Sequence, residues 1–182
     1  DRLIRVDDKY KRIFGTVDYF ASKLIDAKIT EEAKPDLWFV VIPDEVHPLC
    51  RPESIVPRIG RVEAADKMKP SVARGFIRQK PLFSEWAEQA EPYYYEPDFR
   101  QQLKGRLLWA GILTQIVKES TIAPFEFLNP FGYPIRYLGK RTAEVAWNLS
   151  FTAYYKVGAC PWNLAPVRPG AWYVGWVLQN GW

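Results

Sequence analysis

Histidine and cysteine are almost missing from this chain. Its 182 residues include one histidine, His47, and two cysteines, Cys50 and Cys160. A structural zinc site draws on about four such ligands at short spacing, so none can be assembled here. Two cysteines so far apart admit one disulfide at most and suit reduced core thiols better. Long uncharged runs are also missing. No stretch approaches the ~20 apolar residues that cross a bilayer, and no apolar leader opens the chain. The expectation is a cytoplasmic protein with no membrane partner. Nucleotide fingerprints are lacking too. There is no GxGxxG, and Gly139-Lys140 runs into Arg141 with no glycine at P-loop spacing. His47 stands in a Val-His-Pro loop without a serine or cysteine nucleophile pattern around it, which argues against a catalytic histidine. Asp36, Asp44 and Glu45 show no paired spacing and read as turn and capping residues.

The apolar share of 48% and the eight tryptophans are ample for a packed core. A net charge of +4 with a pI near 9.0 admits a polyanionic partner without requiring one. The length suits one domain, with room for an appendage. The chain opens on Asp1 rather than Met and closes on Trp182 without a polar tail, which reads as a piece of something longer.

Along the chain, Val17, Phe20, Leu24 and Ile25 recur at helical spacing between Gly15 and Ala27, with Thr16 placed to cap the start. Leu37–Ile42 is an uninterrupted apolar run ended by Pro43-Asp44, the pattern of a strand buried on both faces. Residues 48–82 are rich in proline, arginine and lysine and read as irregular. That segment is either a solvated surface loop or a basic flap over a nucleic-acid backbone, with Arg74, Arg78 and Lys80 as its backbone contacts. A short helix around Ser84–Ala90 and the aromatic connector Tyr93–Tyr95 follow. A helix from about Pro97 to Ala110 has proline in its first turn and ends at Gly111. Leu113–Val117 alternates as a strand. Residues 119–138 form a loop, Arg141–Val157 a largely apolar helix placed mainly inside the fold, and Ala171–Val177 a further strand.

Two segments carry chemistry. Arg100 and Lys104 lie one turn apart on one helix face, opposite Leu103, Leu107 and Leu108. Like charges at this spacing repel mildly, so the pair is either a solvated face or a binding one. Gln115 sits on an apolar strand face, where its amide must find a partner. On the next helix Asn148, Thr152 and Lys156 form a polar stripe, either a narrow strip facing solvent or the wall of a cavity. Cations and neutral donors without matching carboxylates suit a phosphate group rather than acid–base catalysis.

Several stretches resemble the MID domain of Argonaute proteins, the short prokaryotic ones most closely. They are PDLWFVVIPDEV from Pro35, LCRPESIVP from Leu49, QLKGRLL from Gln102, TQIV from Thr114, FGYPIR from Phe131 and AYYKVG from Ala153. Pro161–Leu164 and Arg168–Gly170 continue the resemblance into the opening of a PIWI domain. The resemblance implies an α/β fold: a Rossmann-like MID domain over residues 15–158, with a mainly parallel sheet flanked by helices. Residues 1–14 would be a lead-in and 159–182 the truncated, RNase H-like start of PIWI.

By the same resemblance, Arg100, Lys104, Gln115 and Lys156 fall on the pocket that grips the 5′ phosphate of a guide strand. Thr114, Asn148 and Thr152 would support them. Arg100 departs from the tyrosine or histidine often found at its position, and Thr152 stands where many long Argonautes carry a lysine. The implied partners are a 5′-phosphorylated guide RNA (or DNA), a single-stranded target nucleic acid, and an APAZ-containing effector subunit with a TIR or sirtuin-like domain. The implied cofactor is Mg²⁺ bridging guide phosphates, with no side-chain metal ligands. Any cleaving acids would lie beyond Trp182, so the expectation is a binding module rather than an enzyme. The alternative reading is a Rossmann-type domain for a mononucleotide or other small phosphorylated ligand.

Overall fold

A computed structural model describes residues 2–79, 83–134 and 139–160. These form a mixed α/β unit with a two-stranded parallel sheet. Helix α1 spans Lys9–Thr30. It begins earlier than its apolar spacing suggests because Asp8 caps it, accepting from the Tyr10 and Lys11 amides at 2.9 and 3.2 Å. Thr16, expected at the cap, is instead buried mid-helix and donates to the Arg12 carbonyl at 2.7 Å.

Strand β1 (Trp38–Ile42) pairs in parallel with β2 (Thr114–Lys118), in a register that sets Trp38 beside Thr114 and Ile42 beside Lys118. Parallel pairing requires a crossover, and here it contains α2 (Val46–Leu49), α3 (Pro70–Arg78), α4 (Ser84–Ala90) and α5 (Phe99–Trp109). Ile13, Val17 and Ala21 of α1 meet Leu103 and Leu107 of α5 and Val40 and Ile42 of β1 in one core. The other sheet face does not match the expected burial. Phe39 and Val41 are each 47% exposed, so β1 is covered on one side among the described residues. A run of five apolar residues fits a strand buried once or twice equally well, and periodicity does not separate the cases.

Helix α5 is capped by Asp98, which accepts from the Gln101 amide at 2.9 Å, and Pro97 lies just outside the first turn. Its other end closes at Gly111, whose φ of +67° favours glycine. Lys28, from the last turn of α1, donates to the Ala110 and Gly111 carbonyls there at 2.7 and 3.3 Å. After β2 come α6 (Glu119–Ile122) and α7 (Thr142–Lys156). Helix α7, expected inside the fold, has no buried residue, and Trp147 is 60% exposed. Its apolar side chains meet one another along the helix: the Trp147 and Phe151 rings stack at 6.2 Å, and Phe151 meets Tyr155 edge-on at 4.6 Å.

The segment 48–82 is more ordered than its prolines suggest. Pro70 opens α3, whose Ala73 is fully buried against Ala90 and Tyr93. The Tyr93 hydroxyl donates to Asp8 at 2.8 Å and accepts from the Met68 amide at 3.1 Å, binding this unit to the start of α1. Arg74 and Arg78 therefore stand one turn apart on a helix, contrary to the irregular spacing expected. Lys80, the PIWI segment beyond Cys160 and the strand at 171–177 lie outside the described residues.

Arg12 holds these parts together. Its guanidinium is 1% exposed and donates to Leu49 O at 2.7 Å, Val6 O at 2.6 Å, Ser54 O at 3.0 Å and Ser54 Oγ at 2.8 Å. Arg12→Met strands several buried acceptors and is expected to cost about 3 kcal/mol. Arg12→Lys recovers only part of this, because an ammonium lacks the planar fork. Urea unfolding of the three proteins measures both effects; a loss under about 1 kcal/mol in Arg12→Met would contradict the assignment.

Candidate phosphate-binding site

The site lies where the parallel strands end, the usual location of ligand crevices in α/β sheets. A cavity of about 570 Å³ opens beside Ile42, Val117 and Lys118 at the C-terminal ends of β1 and β2. Its walls come from the segment His47–Pro52, the first turn of α5, and the α7 side chains Asn148, Leu149 and Thr152. This volume falls within the range of about 300–1,000 Å³ typical of small-ligand sites.

Each expected site residue has a definite place. Arg100 is exposed in the first turn of α5 and lines the cavity. Lys104 follows one turn later, half-buried. Gln115 is buried on β2 and also lines the cavity, and Thr114 beside it is buried. Lys156, the last residue of α7, donates to Gln115 Oε1 at 2.7 Å and to the Thr114 carbonyl. The amide on an apolar strand face thus finds its partner in a cation from the next helix. Asn148 and Thr152 line the cavity, and Asn148 is exposed as well, so the stripe borders both the cavity and solvent. The Thr152 hydroxyl donates to the Asn148 carbonyl at 2.7 Å, leaving its oxygen as an acceptor.

Lys104 and Lys156 are not part of the cavity wall, but they share its field. Desolvation, then the charge of Arg100, holds Lys104 below the ordinary lysine range. Lys156 is lowered by desolvation first, then by Lys104 and Arg100. These three cations crowd one another at a cost that an arriving anion would relieve. Carboxylates at the cavity are committed elsewhere: Asp98 caps α5, and Glu144 pairs with Arg141 at 3.0 Å. Asp44 accepts from Ser120 N and Oγ at 2.9 and 2.7 Å, tying the turn after β1 to the turn after β2.

The sequence argued against a catalytic His47 and did not assign Arg51, Lys118 and Arg141 to the site, yet all four line the cavity. For Lys118 and His47 a signal existed, since Lys118 closes strand β2 and His47 lies in the short helix after β1. Arg74 is not at the cavity; it pairs with Glu96 at 3.3 Å. Cys50 and Cys160 are both free thiols, and burial pushes the Cys50 thiol above its usual range. No helix among the described residues is long and apolar enough to cross a membrane. No protein-family model matches the chain, and no curated protein matches it.

Removing the Lys156 ammonium tests how α7 is held. Lys156→Met leaves the buried Gln115 oxygen and the Thr114 carbonyl unpaired, at an expected cost of about 1–3 kcal/mol. Amide exchange should quicken in α7 while the α1–α5 core keeps its protection. Equal acceleration in both regions would show that Lys156 supports the whole fold rather than this one attachment.

Proposed function

We propose that this chain is a nucleic-acid-binding module that anchors the 5′-phosphorylated end of a guide strand, for guided recognition of a target. The observation that carries the reading is the meeting of Arg100, Lys104, Gln115 and Lys156, brought from α5, β2 and α7, with no uncommitted carboxylate among them. On this reading the phosphate oxygens accept from the guanidinium, the two ammoniums and the Gln115 amide NH₂, whose own oxygen already accepts from Lys156. Arg100 supplies a planar fork suited to two phosphate oxygens. The parallel sheet with helices fits a Rossmann-like MID domain. The PIWI opening, a cytoplasmic setting and an effector subunit with an APAZ region are further parts of the same proposal.

The described residues include no cluster of three or more histidine, cysteine or acidic side chains. The cavity acids are spent on a helix cap and an arginine. On this reading an Mg²⁺ at the site is held by the guide phosphates rather than by side chains.

Each charge-assisted hydrogen bond contributes roughly 1.5–3 kcal/mol. Lys104→Ala is therefore expected to weaken a 5′-phosphorylated oligonucleotide at least about tenfold and to leave its weak 5′-hydroxyl counterpart almost unchanged. Equal losses on both ligands would reduce Lys104 to a general basic contact. The cavity volume also suits a mononucleotide, the rival ligand. If a 5′-mononucleotide binds as tightly as a phosphorylated oligonucleotide of ten bases, the small-ligand reading wins.

The basic helix α3 makes a separate contribution. Neutralising Arg74, Arg78 and Lys80 together is expected to flatten the salt dependence of strand binding, because backbone contacts release counterions. Preference for a 5′ phosphate should survive, since none of the three belongs to the cluster. An unchanged salt slope would assign these residues to a solvated surface or a protein contact.

A further inference from the structure

The chain's single histidine stands on the cavity wall formed after β1. His47 belongs to α2 and is half-buried. Charged groups reach it from each surrounding element: Lys118 from the end of β2, Arg51 from the segment after α2, Arg100 from α5, and Asp44 from the turn before α2. Asp44 is the only attractive one of these, and both its oxygens are engaged by Ser120. Across the cavity, Arg141 is neutralised by Glu144 and Asp98 is committed to its cap. Burial is the largest influence and the cations Lys118 and Arg51 follow, so the imidazole is held below its ordinary range and is uncharged at neutral pH.

A phosphate group entering beside His47 acts against the cations' influence and adds to that of Asp44. Its oxygens accept an N–H from the imidazolium, and its charge offsets Lys118, Arg51 and Arg100. We propose that anion binding in this cavity is coupled to uptake of one proton by His47, which enters the complex as a cation contacting a phosphate of the strand. The proton comes from solvent, and the only bond formed is the new N–H. This inference rests on reading the cavity as a site for a phosphorylated strand, and it makes that site sensitive to pH. The sign follows from the direction of the change. His47 binds its proton more tightly in the complex than in the free chain, so it favours binding more strongly as pH falls. The terminal phosphate works the other way, because it gains its second proton near pH ~6 and loses charge as pH falls. Only a comparison with a variant lacking the imidazole separates the two.

A lone histidine gives one Cε1–H and one Cδ2–H signal, so proton NMR of the whole chain reads its protonation without ambiguity of assignment. The signal is followed from about pH 5 to about pH 8, first without ligand, then with saturating 5′-phosphorylated dinucleotide, then with saturating inorganic phosphate. The dinucleotide is expected to raise the midpoint by about one pH unit, equivalent to about tenfold in affinity across the titration. Calorimetry in buffers of different ionisation enthalpy should register proton uptake that His47→Gln removes. A full rise with inorganic phosphate alone supports the coupling and assigns the contact to the terminal phosphate. A rise confined to the dinucleotide supports it and assigns the contact to the diester. Tight dinucleotide binding with an unmoved midpoint overturns this inference and leaves the phosphate site standing. No binding of either probe at any pH overturns both.

Discussion

The fold hangs on one buried guanidinium. Arg12 lies within the first turns of α1, yet its hydrogen bonds go to Val6 before the helix, Leu49 at the end of α2, and Ser54 beyond it. Backbone carbonyls in a loop must be satisfied if they leave water, and one planar fork satisfies several that belong to different segments. That fixes the path of the chain just after β1, which is also the path that sets His47 and Arg51 on the cavity wall. A structural arginine on α1 thereby helps to fix where His47 and Arg51 stand.

The second attachment is made of the binding groups themselves. Lys156 joins α7 to β2 through Gln115 and the Thr114 carbonyl, while α7 has no buried residue of its own. The same ammonium is depressed by its cationic neighbours. On the proposed reading, stability and recognition pull on one side chain in opposite directions: a bound phosphate would turn the repulsion among Arg100, Lys104 and Lys156 into shared attraction. Proteins commonly concentrate such strain at functional positions.

Much of this was legible in the residues. The helices around Ser84–Ala90 and Phe99–Trp109 and the strands at Trp38–Ile42 and Thr114–Lys118 follow from apolar spacing, caps and the glycine at position 111. The partner of Gln115 was demanded by polarity, though only the fold reveals it to be Lys156. What escaped was of two kinds. Burial depends on layers that a local pattern does not encode, which is why β1 was expected covered twice and α7 inside. Long-range polar contacts leave no periodicity at all, so Arg12 was left in the expected lead-in of residues 1–14 rather than on α1, and α3 was hidden by the prolines around it. The basic side chains in and around the cavity divided the same way. Arg100 and Lys104 share a helix face and could be paired by counting, whereas His47, Arg51 and Lys118 meet through the strand crossover alone.

That crossover has a consequence for the protein's birth. Asp44 and Ser120, which join the ends of the two strands, are 76 residues apart in the chain. Ribosomes add roughly 5–20 residues per second, so the apolar β1 strand leaves the exit tunnel about 4–15 seconds before β2 emerges to pair with it. During that interval Trp38–Ile42 is an unpaired strand edge, the kind of segment that joins with itself or with other nascent chains. Early packing of α1 offers the best protection, because Ile13, Val17 and Ala21 are already made and cover one side of β1. The exposed Phe39 and Val41 have no such early shelter. Crowded synthesis is therefore a condition that exposes this architecture's weakest edge.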